Sequence, residues 1–275
     1  MKNNHTANHI PIYLISLTKD SERRELLANR FPLFSSQFIL INAVDGRELS
    51  ARDYYLQILP YFKTHQRILT PSELGTTLSH VKALTTFLES NAEFALIIED
   101  DIIGNDEDIH HLLSLAQQLD KQTLLSGGGL QGVNARYLLG KKTQLQDTYN
   151  TANLANPPIT RACAYIVSRF VAQSILHHHQ HNLTIADDWG IILNGTKIKI
   201  YYTDILQHPT DLSTSNIESE RQVQEPTLIG KLLGPAGFKQ ACLKLYREIA
   251  LPFYKLAGYQ KLPIKSNSTD DEVQQ

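Results

Sequence analysis

The chain has 275 residues, 42% of them hydrophobic and 20% charged, with a formal net charge of -2. That length suits one large domain or two small ones with a substantial core, and near-neutrality gives no bulk attraction to nucleic acid. Two cysteines, Cys163 and Cys242, lie far apart without metal-ligand spacing, which argues against a disulfide framework or zinc finger and fits a reducing compartment.

No apolar core follows the N-terminal "MKNNHTANHI", and no window reaches the roughly 18 to 20 apolar residues of a bilayer span, so a cytoplasmic location without a cleaved signal is expected. In chain order, "IPIYLISL" (10–17) predicts a buried strand, and Asp20 and Ser21 cap a polar helix that stops near Pro32. "QFILINAV" follows as a second strand, closed by the turn residues Asp45 and Gly46. Ser50 then caps a short helix through Leu59. "LTPSELGTTLSHVKALTTFLES" carries Thr70 at the N-cap, Pro71 at the first helical position and Glu73 three residues on, a capping box. Leu74, Leu78, Val81, Leu84 and Leu88 recur at helical spacing. Gly75 in the first turn costs about 1 kcal/mol relative to alanine, which marks a close approach to the backbone.

"FALII" (94–98) is the next buried strand, and it runs directly into Glu99, Asp100 and Asp101. "TLLSGGGLQG" (123–132) reads as a strand emptying into a glycine loop, which lacks the lysine and Ser/Thr of a phosphate-cradling P-loop. "RACAYIVS" (161–168) predicts a strand, residues 169–179 a helix, "DDWGIILNG" a short helix ended by Gly195, and "KIKIYYT" (197–203) a strand. Alternating strands and helices predict an α/β sheet layered by helices. Residues 226–265 differ, with seven Lys or Arg against the single acid Glu248 and a helical stripe of Phe238, Ala241, Cys242, Leu245, Ile249 and Ala250. The organisation expected is a catalytic domain over 8–225, a basic helical extension over 226–265 and a disordered tail over 266–275.

In α/β sheets ligands gather beyond the carboxyl ends of strands, which is where Glu99, Asp100 and Asp101 fall. Adjacent carboxylates repel and are costly to bury unpaired, so they either stay wet or share a cation, and oxygen ligands suit Mg²⁺ or Mn²⁺. The competing reading is a solvated acidic loop, "EDDIIGNDED", whose acids cap the following turn. The histidines of "HHHQH" (177–181) close a helix, where they complement its dipole, and no metal is expected there because consecutive histidines point in different directions.

Taken together, "IPIYLISLTKDSERRE", "FILINAVDGRELS", "LTPSELGTTLSH", "ALIIEDDI", "ACAYIVS" and "STSNIESER" run in the order of glycosyltransferase family 25, the lipopolysaccharide and lipooligosaccharide sugar transferases, which the chain resembles. Thr76 departs from the cysteine usual there. The resemblance implies a GT-A-like Rossmann-type fold and inverting transfer from a UDP-sugar, most commonly UDP-galactose, to a glycan or lipid-linked glycan acceptor of lipooligosaccharide, lipopolysaccharide or capsule type. It also implies Mn²⁺ or Mg²⁺ at the acidic motif. Asp101 is then a metal ligand with Glu99, and His208 in "LQHPT" completes the shell. Its other reading is a turn histidine before Pro209.

Glu99 and Asp100 also face the ribose or support the ligands in this reading. Leu17, Arg23, Asp45, Gly46, Ser79 and His80 match positions that hold the nucleotide-sugar, although Arg23 also fits a solvated helix and His80 a structural role. The acceptor base is Asp188 or Asp187 of "IADDWG", one of which also caps the helix, with Trp189 as an acceptor platform or core residue. The basic stretch 226–265 fits a peripheral contact with anionic lipid on the inner face of the cytoplasmic membrane, or a helix docked on the domain. A metal-dependent phosphohydrolase and a non-catalytic sugar-nucleotide or glycan binder are the alternatives, separated from transfer by whether turnover needs an acceptor.

Overall fold

In β1 (Ile12–Ser16) all five residues are buried, with Tyr13 and Ile15 in one apolar cluster and Ile12 and Leu14 in another, so this strand is covered on both faces. The computed structural model describes residues 9–152, 154, 159–210, 220 and 235–265, and of 235–240 the backbone alone. The expected basic extension is thus described from 235, and the tail 266–275 lies outside the described residues.

Among the described residues the sheet has nine strands in the order β2-β1-β3-β7-β4-β8-β6-β5-β9. β2 (Phe38–Asn42), β1 and β3 (Phe94–Glu99) are parallel, and β7 (Ala164–Ser168) lies antiparallel between β3 and β4 (Thr123–Gly128). β8 (Lys199–Leu206) runs parallel to β4, and β6 (Tyr149–Thr151), β5 (Leu139–Lys142) and β9 (Gln260–Lys261) extend the sheet antiparallel. One face packs on α3 (Pro71–Glu89), α5 (Arg169–His181) and α6 (Trp189–Ile192), the other on α1 (Ser21–Arg30) and α4 (Asp106–Ala116). This is the helix-layered α/β architecture that the alternation of elements predicts.

α3 starts as its sequence dictates: Thr70 accepts from the Glu73 backbone N–H at 3.1 Å, and the Glu73 carboxylate accepts from Thr70 N–H at 3.0 Å. Its glycine has the expected cause. A Cβ on Gly75 would stand 2.5 Å from the carbonyl oxygen of Val44, and one on Gly46 would strike the Pro71 carbonyl. The 43–46 loop and the start of α3 therefore meet backbone to backbone, fastened by Ser79, whose hydroxyl accepts from Val44 N–H at 2.8 Å and donates to the Gly75 carbonyl at 2.7 Å.

Three elements differ from expectation. α2 (Ala51–His65) continues through Pro60 instead of ending at Leu59. Pro60 is exposed, so the carbonyl one turn back that loses its donor faces water, while Ile58 and Tyr61 hold the helix to the core. β7 starts at Ala164, because Arg161 has a φ of 87° that breaks the strand predicted from that residue. In α7 (Pro235–Leu256) the expected apolar stripe is divided, with Ala250 packed on the domain and Leu245 and Ile249 exposed.

Alanine in place of glycine inside a helix ordinarily stabilises by about 1 kcal/mol. For Gly75→Ala we expect the opposite sign, a loss of roughly 2 kcal/mol or more, from collision with the Val44 carbonyl. Urea unfolding checks this, and a variant as stable as the parent would remove the close-approach account.

Candidate functional site

β3 delivers Glu99 at its carboxyl end, and Asp100 and Asp101 follow in a turn. Beyond them Ile103 pairs with Gln207 through two backbone hydrogen bonds of 2.9 Å, an isolated bridge that ties this turn to the end of β8. β3 and β8 are separated by two strands, so the bridge is what brings Asp101 beside His208. His208 Nε2 stands 3.5 Å from Asp101 Oδ2, and one ligand atom each of Glu99, Asp101 and His208 falls within 4.8 Å of the others. Among the described residues this is the one group of three such side chains.

The glycine loop after β4 supports the same corner. Gly128 and Gly129 have positive φ, and a Cβ on Gly129 would strike the Cys163 sulfur, so only glycine lets the loop pass this close. Gly129 N–H donates to the Leu206 carbonyl at 3.0 Å, and buried Gln131 accepts from His208 N–H at 3.2 Å. The loop thus positions His208.

Two arginines border the cluster, Arg23 against the acids and Arg161 against His208. Arg23 Nη2 lies 2.8 Å from Asp101 Oδ2 and 3.2 Å from Asp100 Oδ1. Arg161 Nη1 lies 2.9 Å from His208 Nδ1; its backbone N–H donates to Asp187 Oδ2 at 2.9 Å and its carbonyl accepts from Trp189 Nε1 at 3.4 Å. Left-handed backbone at a residue with a side chain is strained, and here three contacts hold it.

Burial pushes the Asp100 carboxyl up to about 6 even against the Arg23 charge. Burial acts the same way on Asp101, but His208 and Arg23 outweigh it and hold that group below the usual carboxylate range. His208 is lowered by burial and raised more by Asp101, ending above its ordinary value. Asp101 Oδ1 is buried and has no hydrogen-bond partner among the described residues. Two carboxylates and an imidazole are a donor set that Mn²⁺ or Mg²⁺ accepts, and a buried unpartnered carboxylate oxygen is the feature a cation would satisfy, so these residues fit such an ion.

His80 bridges Glu99 Oε1 (3.0 Å) and the Tyr165 hydroxyl (3.0 Å) from inside α3. The Tyr165 ring meets Trp189 edge-on at 5.3 Å, so Glu99 is oriented from the core behind it. Trp189 itself is 1% exposed, which makes it part of that core and not an acceptor platform. Asp188 is the N-cap of α6, its Oδ1 accepting from Ile191 N–H at 3.2 Å, and burial raises its pKa. Asp187 holds the Arg161 backbone as described.

The remaining predicted positions gather at the ends of β1 and β2. The Leu17 carbonyl accepts from Arg24 at 2.6 Å. Asp45 is paired with Arg47 and Lys19 at 2.8 and 2.7 Å, and the Arg47 hydrogen bond above all lowers its pKa. Gly46 and Ser79 are committed to the close contact between this loop and α3. Sequence reasoning gave no role to Arg161, Gln131 and Tyr165, which lie in segments read only as a strand or a glycine loop.

Two comparisons bear on identity. The model of the family described as "Glycosyltransferase family 25 (LPS biosynthesis protein)" matches residues 9–190. A glycosyltransferase 25 family member of Aedes aegypti is 36% identical over 96 residues, which is 33% of this chain and 16% of that protein. Procollagen galactosyltransferase 1 of Danio rerio is 30% identical over 118 residues, 41% of this chain and 20% of that one. The chain thus spans a fifth or less of the length of these relatives.

The histidine run at the end of α5 is engaged with itself and with Thr184: His178 Nε2 lies 3.3 Å from the Thr184 hydroxyl, and the His177 and His181 rings are 4.4 Å apart. Burial pushes buried His179 down to about 4. The unfolded chain therefore takes up this proton first, so the stability His179 contributes is complete above about pH 6.5 and is lost as pH falls toward 4. By pH 5 the loss should reach about 2 kcal/mol. His179→Gln should be correspondingly less acid-sensitive in urea unfolding at pH 7.5 and pH 5; identical pH dependence in the two proteins would contradict this assignment.

Proposed function

Because the chain belongs to glycosyltransferase family 25, we propose that it moves a sugar, galactose from UDP-galactose in this reading, onto a hydroxyl of a glycan acceptor with inversion at the anomeric carbon. The observation that carries the reading is the buried Asp101 Oδ1, without a hydrogen-bond partner among the described residues, beside His208 and Glu99 at the carboxyl end of β3. Galactose as the sugar is supported by the likeness to a procollagen galactosyltransferase, and a lipopolysaccharide-type acceptor by the family's own description.

Glu99, Asp101 and His208 are the residues that would hold Mn²⁺ or Mg²⁺. When bound, the ion supplies positive charge for the departing diphosphate. The chain's own contribution is orientation and charge. His80 and Tyr165 fix Glu99, the Ile103–Gln207 bridge fixes Asp101 against His208, and Arg23 and Arg161 bring guanidinium donors suited to phosphate oxygens. Leu17, Asp45 and Gly46, beyond β1 and β2, line the nucleoside end of this reading, and Asp100 faces the ribose.

The acceptor proton goes to Asp188, whose burial-raised pKa makes it a better base than an exposed carboxylate, while Asp187 holds the Arg161 backbone in place. One oxygen of Asp188 caps α6 and so fixes the direction of the other.

The test is turnover of a panel of UDP-sugars by the purified chain, with lipooligosaccharide-type and collagen-type glycan acceptors, in Mn²⁺ and in chelator. Transfer should require acceptor and fall at least about a hundredfold for Asp101→Asn. Asp188→Asn should lower kcat by roughly 10² to 10⁴ with little change in donor affinity. UDP release at the same rate without acceptor would instead identify a phosphohydrolase, and donor binding without turnover a binding protein.

A further inference from the structure

α7 is amphipathic, and the structure divides its faces in a way that composition alone does not. Its inward face is fastened to the edge of the sheet. Arg247 Nε donates to the Leu154 carbonyl at 3.3 Å, and its guanidinium lies 5.5 Å from the Tyr137 ring centre. Glu248 takes Arg136 at 2.7 Å and the Tyr137 hydroxyl at 2.5 Å, while Ala250, Leu251 and Tyr254 pack on Leu139, Ala152 and Leu154. The strand that follows, β9, pairs with β5 and locks the helix in place.

The outward face is apolar. Leu245, Ile249, Phe253 and Leu256 are 63, 58, 67 and 86% exposed, and Tyr246 beside them is 47% exposed. They recur at three- and four-residue spacing, so they form one ridge about 16 Å long. Isolated exposed leucines need no explanation, whereas five large apolar side chains in one continuous ridge mark a contact surface.

The charge carried by α7 and the strands it packs beside selects the occupant. Lys244 and Lys255 on the helix, Lys261 and Lys265 after it, and Lys141 and Lys142 on β5 are all exposed. Glu248, the single acid of 235–265, is already neutralised by Arg136. A second copy of the chain would bring one basic flank against another, a repulsion that an anionic surface turns into attraction. Among the described residues no helix is long and apolar enough to cross a membrane, so the contact is one of lying on a bilayer.

We propose that the Leu245–Leu256 ridge of α7 seats on an anionic lipid surface, its apolar side chains entering the headgroup boundary and the neighbouring lysines meeting lipid phosphates. This surface does not depend on the transferase reading; only its use, to hold the chain beside a lipid-linked acceptor, rests on that reading.

Co-sedimentation of the full chain with phosphatidylcholine vesicles, with and without roughly a third phosphatidylglycerol, tests it. The chain should bind the anionic vesicles at least tenfold more strongly, and binding should weaken in high salt. A triple L245S/I249S/F253S variant should lose tenfold or more in partitioning, and Lys244→Glu with Lys255→Glu should abolish the preference for anionic lipid. Because these side chains are exposed, circular dichroism and melting should match the parent, so a loss of binding is separable from unfolding. Failure of the parent chain to bind anionic vesicles, or equal binding by the triple variant, would overturn the proposal. So would a dimer in light scattering that the triple variant returns to monomer.

Discussion

Two backbone hydrogen bonds between Ile103 and Gln207 govern the geometry of the site. They join the turn after β3 to the end of β8 across two intervening strands, and they do so where the chain has just passed three carboxylates. Without that bridge Asp101 and His208 would belong to separate loops. With it, an imidazole and two carboxylates converge on one point, and Gln131 from the glycine loop holds the imidazole's backbone from the other side.

Electrostatics follow from this convergence. Asp101 is kept ionised by His208 and Arg23, whereas Asp100, next in the chain, is pushed toward its protonated form by burial. The two neighbouring carboxyls are driven in opposite directions, Asp100 by its burial and Asp101 by His208 and Arg23, while a second arginine, Arg161, stands against His208. Arg161 is the more constrained of the two. Its left-handed backbone is held by Asp187 and Trp189, so the loop bearing the candidate base and the corner bearing the acids are mechanically linked.

Much of this was legible in the residue order. The Thr70–Glu73 capping box, the close approach at Gly75, the buried strand running into Glu99, Asp100 and Asp101, and the late His208 are local signals whose physics does not need the rest of the fold. What was not legible depends on tertiary context. Arg161 sits in a run that alternates like a strand, and only the contact with Asp187 draws its backbone out of that conformation. β5, β6 and β9 are too short for a periodic pattern and exist because they pair with one another and with β8. For α7 the sequence carried the amphipathic character but not the rotation, which Tyr137 and Glu248 decide.

The central claim is that Glu99, Asp101 and His208 form one cation site. Titration of Mn²⁺ into the full chain, followed by electron paramagnetic resonance of the free ion, tests it without reference to turnover. The account predicts one ion bound per chain, tighter in the presence of UDP, and at least about tenfold weaker binding for Asp101→Asn and for His208→Ala. Absence of stoichiometric binding, or equal affinity in both variants, would contradict it.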